Sequence, residues 1–161
     1  MRTITLSRGK QTVVDDEDYD QLSQFKWWVD AYGYALTTVG GRLNKKNIRM
    51  HRMLTGAQPG QVVDHIDGDP LNNQKANLRI VTQKENVRNS KPKPSRSGYK
   101  GVSWYSQTNR WVARIICDGV YYHIGYYHDP KDAARAYNAK ALELFGEYAR
   151  LNVIPDDEEA A

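Results

Sequence analysis

The chain has 161 residues, 23 Lys and Arg against 19 Asp and Glu, a formal net charge of +4 and a pI near 9.1. A single cysteine, Cys117, excludes an intramolecular disulfide and a cysteine-based zinc site. No apolar run reaches membrane length and no signal peptide is seen, so no membrane partner and a cytoplasmic location are expected, while the modest basic excess favours a polyanion partner.

Thr3 to Leu6 and Gln11 to Val14 flank Ser7-Arg8-Gly9-Lys10 and predict a hairpin. Asp15 to Ser23 predicts a short helix whose early acids suit the N-terminal dipole, so Asp15-Asp16-Glu17-Asp18 reads as a helix start rather than a metal site. Trp27 to Thr38 and Asn47 to Met50 read as strands, with Gly40-Gly41 between them.

The next stretch carries the chemistry. Val63-Asp64-His65-Ile66-Asp67-Gly68-Asp69 is followed by Asn72-Asn73, Asn77-Leu78-Arg79 and Glu85-Asn86-Val87-Arg88-Asn89. Val62 to His65 predicts a strand, Asp67 to Asn77 a polar loop, and Leu78 to Val81 a second strand. Thr82 then caps a helix, and Glu85 completes a capping box. Hydrolysis of a phosphodiester needs a base for water and a cation for the charge that develops on the leaving oxygen. Asp64 and His65, being adjacent in a strand, leave on opposite faces, so one can hold a metal while the other meets water. Oxygen ligands without thiolate suit one Mg²⁺ or Mn²⁺ ion. The imidazole, with an unperturbed pKa of about 6.5, is the natural base. Asp67, Asp69, Asn72 and Asn73 read as turn residues. An EF-hand is excluded, since no bidentate Glu follows at the required position.

Ser90-Lys91-Pro92-Lys93-Pro94-Ser95-Arg96-Ser97 has nothing apolar to bury and reads as a basic linker. Three β-rich runs follow, Tyr99 to Tyr105, Arg110 to Ile116 and Val120 to Gly125, and the Asp118-Gly119 turn implies an antiparallel meander. Asp129-Pro130 opens a helix that runs to Phe145 and stops at Gly146. Period-two alternation turns Trp111, Ala113 and Ile115 toward that helix, and Val112, Arg114 and Ile116 away from it. Asp156-Asp157-Glu158-Glu159 reads as an acidic tail.

The DH-I-D-G-x-x-x-N-N, N-L-R and T-x-x-E-N-x-x-N segments, from about Met50 to Ser90, resemble the HNH endonuclease family in its phage and intron-encoded homing or nicking form. The resemblance implies a ββα-metal unit with Asp64 and Asn86 as metal ligands, His65 as general base, and Asn77 orienting the imidazole. Position 86 is Asn where the family often has His. Arg52, in a His-Arg pair that often precedes the motif, is implied as a phosphate clamp, with His51 a weaker candidate. Arg8, Lys10, Arg42, Lys45 and Lys46 are expected to add backbone contacts.

A second resemblance rests on Gly101-Val102, Arg110-Trp111-Val112-Ala113, Ile124-Gly125, Asp132 to Asn138 and Ala149-Arg150-Leu151-Asn152. From about Ser97 to Val153 the chain is similar to the Apetala-type, or ethylene-response-factor-type, DNA-binding domain. In that family the sheet enters the major groove, which implies DNA contacts from Lys100, Ser103, Tyr105, Arg114, Tyr121 and His123. Several of these positions carry arginine or tryptophan in the plant proteins, so the plant target sequence is not implied here.

The expectation is an α+β protein: a ββα-metal HNH catalytic unit plus a three-stranded antiparallel sheet packed on one helix. Residues 1-90 form the leader and nuclease domain, 91-97 the linker, 98-154 the DNA reader and 155-161 the tail. The expected function is single-metal hydrolysis of double-stranded DNA to 5′-phosphate and 3′-hydroxyl ends by a phage or mobile-element enzyme. A monomer would nick one strand; a double-strand break needs two engagements or a dimer. The rivals are a DNA-binding regulator that keeps the HNH fold without activity, and an RNA-directed nuclease.

Overall fold

In the computed structural model, residues 1–92 and 94–155 are described; the expectations for Lys93 and the acidic tail residues Asp156 to Glu159 fall outside them. The chain divides after Asn86 into two compact units.

The first unit begins with a hairpin of β1 (Arg2–Thr5) and β2 (Gln11–Val14), paired from Arg2↔Val14 to Thr5↔Gln11. Its inward residues Ile4 and Val14 join Leu6, Leu22, Trp27, Ala35 and Met50 in one buried cluster. Helix α1 (Asp16–Leu22) contributes Leu22, whose carbonyl accepts a 2.8 Å hydrogen bond from the Trp27 indole. The run Trp27 to Thr38 is not one strand but two, β3 (Trp28–Val29) and β4 (Ala35–Val39). The break is local side-chain chemistry: Asp30 Oδ1 accepts from the backbone N–H of Tyr32 at 2.8 Å and of Tyr34 at 3.0 Å, curling the chain into a turn. β5 (Lys46–Arg49) completes this sheet, and a short helix α2 (Met50–Thr55), absent from the sequence-based expectations, follows it and ends at left-handed Gly56.

β6 (Val62–His65) and β7 (Leu78–Val81) pair antiparallel from Val62↔Val81 to His65↔Leu78. The loop between them is pinned to β2: Val13 N donates to Leu71 O at 2.9 Å, and Asn73 N to Val13 O at 2.8 Å. Asp15 makes no cap bond to α1. Its carboxylate instead takes the Lys75 backbone N–H at 2.8 Å and the Gln74 amide at 3.2 Å, which holds its pKa below the usual carboxylate range, chiefly through the Lys75 bond. Helix α3 (Gln83–Arg88) opens with the expected capping box, Glu85 accepting from Thr82 N at 2.7 Å while Thr82 Oγ1 accepts from Glu85 N at 3.3 Å.

The second unit holds β8 (Val102–Tyr105), β9 (Arg110–Cys117) and β10 (Val120–Tyr127) as one antiparallel sheet with β9 in the middle and a register shift between His123 and Gly125. Helix α4 (Pro130–Phe145) starts where Asp129 accepts from Lys131 N at 2.6 Å. Its Ala133, Ala134, Tyr137, Ala141 and Phe145 pack on Val102, Ala113 and Ile115, as the alternation predicts. Val112 keeps to the face away from the helix, as expected, yet is only 6% exposed. It lies in the central strand between Ser103 and Tyr126, and neighbours on both sides remove it from solvent. Asn152 ties the ends together, bonding Lys100 N and O, while its own N–H reaches Asn138 Oδ1 at 2.8 Å.

Gly101 has φ +74, and a Cβ there would overlap the Tyr137 ring and stand 2.6 Å from Arg114 O. Gly119 has φ +82 but open space around it. Gly101→Ala is therefore expected to destabilise the second unit by about 3 kcal/mol or more, and Gly119→Ala by about 1–2 kcal/mol of backbone strain alone. Urea unfolding of the two variants, followed by tryptophan fluorescence, checks both values. Equal costs would refute the packing account.

Candidate active site

Pleating sends Asp64 and His65 to opposite faces of β6, and each meets a different environment. Asp64, 6% exposed, faces its cross-strand partner Arg79, whose Nε and Nη2 donate to Asp64 Oδ2 at 2.9 and 2.8 Å. A carboxylate this buried requires such compensation. His65, 5% exposed, lies in a pocket of rings. The His51 ring stands edge-on to it with centroids 5.2 Å apart, and Tyr34 packs on both, 4.9 Å from His51 and 5.8 Å from His65. Behind Tyr34, the Arg49 guanidinium lies 4.7 Å from the ring centroid and pairs with Asp30 at 2.8 Å.

Burial pushes the His65 pKa down, against the opposing pull of the Asn73 contact and the carboxylates of Asp67, Asp64 and Asp69. The same burial, helped by His65, Arg49 and Arg52, drives His51 down to about 3. The pocket therefore favours neutral rings near pH 7.

Asn77 does not touch the imidazole with its side chain. Its Nδ2 donates to Asp67 Oδ1 at 3.0 Å and Asn72 O at 2.9 Å, while its Oδ1 accepts from Asp67 N at 3.1 Å. The expectation that its amide orients His65 is corrected accordingly: Asn77 braces the turn after His65, and its backbone carbonyl accepts from Ile66 N at 2.9 Å. The amide beside the ring is Asn73, whose Oδ1 is 3.4 Å from His65 Nε2 and which is wholly buried. Sequence reasoning placed Asn73 in a turn, since nothing local marks it for the interior. Arg79 was also missed, although the β6–β7 register sets it directly opposite Asp64.

Asn86 stands half-buried on the first turn of α3, its N–H bonded to Thr82 O at 3.1 Å. Among the described residues its side chain makes no hydrogen bond, whereas the amides of Asn72, Asn73 and Asn77 are all engaged. An uncommitted amide oxygen and a carboxylate are each hard-oxygen donors of the kind a small divalent cation takes. Such an ion would share Asp64 with Arg79 or displace the guanidinium.

Two of the expected nucleic-acid contacts are spent elsewhere. Arg52 donates to Gln61 O at 2.8 Å, Gln58 O at 2.8 Å and Ala57 O at 3.1 Å, so it braces the turn between α2 and β6 instead of offering a phosphate clamp. Lys100 Nζ donates to Arg88 O at 2.6 Å and Ser90 O at 2.8 Å, and burial lowers its pKa to about 8, so it serves backbone carbonyls rather than a ligand. Ser103, Tyr105, Arg114, Tyr121 and His123 do share one face of the second unit's sheet, since Arg114 pairs with His123, Tyr121 with Ile116, Ser103 with Val112, and Tyr105 with Arg110. The exposed Tyr126 adds to that face, 4.7 Å from His123 and 5.6 Å from Tyr105 between ring centroids.

Comparison with known proteins adds to this geometry. Residues 45–88 match a family model described as HNH endonuclease. An uncharacterised HNH endonuclease of Acanthamoeba polyphaga mimivirus is 34% identical over 152 residues, spanning 92% of this chain and 79% of the relative. An AP2-like ethylene-responsive transcription factor of Arabidopsis thaliana is 34% identical over 68 residues, covering 42% of this chain and 14% of the plant protein. Among solved structures, the HNH homing endonuclease I-HmuI aligns with a TM-score of 0.38 at 23% identity, over 84% of this chain and 82% of that one. No helix among the described residues is long and apolar enough to cross a membrane.

The His51 shift has a measurable consequence. With a folded pKa of about 3 against 6.5 unfolded, the unfolded chain takes up the proton first, so the stability from this neutral buried ring is complete above pH 6.5 and lost as pH falls toward 3. Between pH 7 and pH 5 the wild type is expected to lose on the order of 2 kcal/mol more than His51→Phe in urea unfolding. Parallel losses would show that His51 ionises in the folded chain.

Proposed function

The chain belongs to the HNH endonuclease family, and on that premise we propose that it hydrolyses double-stranded DNA at a chosen site, as a homing or nicking enzyme of phage or mobile-element type. The observation that carries this reading is the pairing on one strand of a compensated carboxylate, Asp64, with a buried, neutral imidazole, His65, on the opposite face. A neutral imidazole is the protonation state a general base needs. His65 accepts a proton from water, whose oxygen attacks the phosphorus in line. The bond from phosphorus to the 3′ oxygen breaks, leaving 5′-phosphate and 3′-hydroxyl ends. Asp64 and Asn86 would hold a single Mg²⁺ or Mn²⁺, which supplies stabilisation of the charge developing on the departing oxygen. Arg79 fixes the Asp64 carboxylate, and Asn77 fixes the turn that follows the base.

The sheet of the second unit is the proposed reader. Its face combines the cations of Arg110 and Arg114 with the rings of Tyr105, Tyr121, His123 and Tyr126, a mixture suited to phosphate contact and to base edges in a major groove. The partial likeness to a plant transcription factor supports this assignment. Duplex RNA is disfavoured because its major groove is too narrow for a sheet.

Supercoiled plasmid bearing host sequence, incubated with the protein and Mg²⁺, should be nicked or linearised. His65→Ala and a chelator should abolish cleavage while gel-shift binding persists. Equal cleavage by wild type and His65→Ala would sink the mechanism, and binding without cleavage under any divalent cation would favour a regulator. Arg114→Ala should weaken binding across sequences and reduce the slope of log affinity against log salt by about 1. An unchanged slope would remove the sheet from the interface.

A further inference from the structure

We propose that the basic segment carrying Lys91 belongs to the DNA-contacting surface of the second unit, held beside the sheet's reading face by Lys100, so that Lys91 and Arg114 answer to phosphates of one duplex. The proposal deepens the reading of that sheet as a DNA binder and rests on it.

The segment departs from α3, whose last residue is Arg88. A helix end leaves carbonyls without partners, and a cation is the favoured group there. Lys100 supplies it from the start of the sheet: its Nζ donates to Arg88 O at 2.6 Å and to Ser90 O at 2.8 Å, with Ser90 Oγ 3.4 Å away. An ammonium has three N–H donors, so this one is spent on the segment. The Arg88 side chain adds a second hold, pairing with Asp118 at 3.3 Å and lying 4.9 Å from the Phe145 ring centroid. Lys100 is itself fixed, since its backbone N–H and C=O both bond Asn152. Pro92 restricts the backbone of Lys91 before it, which lowers the entropy lost in holding that lysine in place.

The anchoring builds a cleft of about 440 Å³, lined from the segment by Ser90, Lys91, Pro92 and Ser95 and from the sheet by Ser103 and Arg114. Its cations are Lys91, Arg114 and the already engaged Lys100, and among the described residues that line it none is a carboxylate. Lys91 and Arg114 are both exposed. Arg114 N donates to Gly101 O at 2.9 Å, which sets the guanidinium's strand beside the residue that holds the segment. A cleft of that charge fits an anion, and a duplex whose bases face the sheet presents its phosphates alongside. Lys91 is a point charge on a flexible stem, suited to phosphate rather than to base edges. Lys100 is then a positioning residue: it acts on DNA through Lys91 and makes no contact of its own.

The test is duplex binding by the full chain over a series of salt concentrations, in buffer without divalent cations. Lys91→Ala should weaken binding equally on unrelated duplexes and lower the slope of log affinity against log salt by about 1. An unchanged slope overturns the proposal. Lys100→Met should also weaken binding, and in that background Lys91→Ala should cost less than it does in the wild type, because the lysine is no longer held. Fully additive losses would give Lys100 a contact of its own and overturn its positioning role. Nitrogen-15 relaxation of the free protein reads the anchoring without DNA: the wild-type amides of Ser90 and Lys91 should be as rigid as those of β9, and Lys100→Met should loosen these two while the sheet signals stay in place. Mobile Ser90 and Lys91 in the wild type overturn the anchoring even if Lys100→Met fails to fold. A wild type that binds no duplex at all sinks the reading of the sheet instead, a result distinct from tight binding that ignores Lys91.

Discussion

The pairing of β2 with the loop that follows β6 is the constraint on which the first unit depends. Val13 and Asn73 exchange backbone hydrogen bonds with the chain opposite, and Asp15 accepts the Lys75 N–H two residues further on. Polar loops of this length pay conformational entropy for every residue they order, and their own side chains rarely compensate it. Here the edge of a hairpin does so, converting an Asp- and Asn-rich connection into a surface with fixed donors and acceptors. Without that edge Asn73 has no reason to be buried, and the His65 ring loses its polar neighbour.

The same economy governs the charges. Three ionisable groups that sit almost out of solvent, Asp64, His65 and His51, are reconciled with burial by different means. Asp64 keeps a guanidinium partner, because a buried carboxylate alone is far costlier than a buried pair. The two histidines take the alternative, which is to be neutral, and burial enforces it. Tyr34 and Arg49 then complete a stack in which the Arg49 guanidinium is held by Asp30. An imidazole and a carboxylate on neighbouring residues are thus given opposite electrostatic settings by the pleat of one strand.

What was legible in the sequence is what depends on residues close together in the chain. The β6 and β7 spans, the Thr82–Glu85 capping box and the Asp129-Pro130 helix start arise from neighbours within a few positions, and the alternation of β9 reports its two faces. The misread positions share a different property. Arg52 and Lys100 were assigned to phosphate because cations suggest anions, yet their partners are backbone carbonyls, which every residue carries and no residue type announces. Asn73 and Asp15 answer to residues about 60 positions away, at separations no local pattern records. Asn77 failed in its finer role because three neighbouring asparagines compete for loop and ring, and only the geometry apportions them.

Local self-satisfaction also narrows where a ligand can act. Cations already bound to carbonyls and amides already bound to a loop have little left to offer DNA or metal, since breaking a buried hydrogen bond offsets most of what a new contact returns. Removing them leaves a short set: Asn86, whose side chain is uncommitted among the described residues, and the exposed arginines and rings of the second unit's sheet. The two units therefore differ in composition, hard oxygen and imidazole in the one, guanidinium and aromatic faces in the other. Such a separation means that substitutions on β9 and β10 can change the exposed face of the second unit's sheet while the buried contacts around Asp64 and His65 remain unaltered.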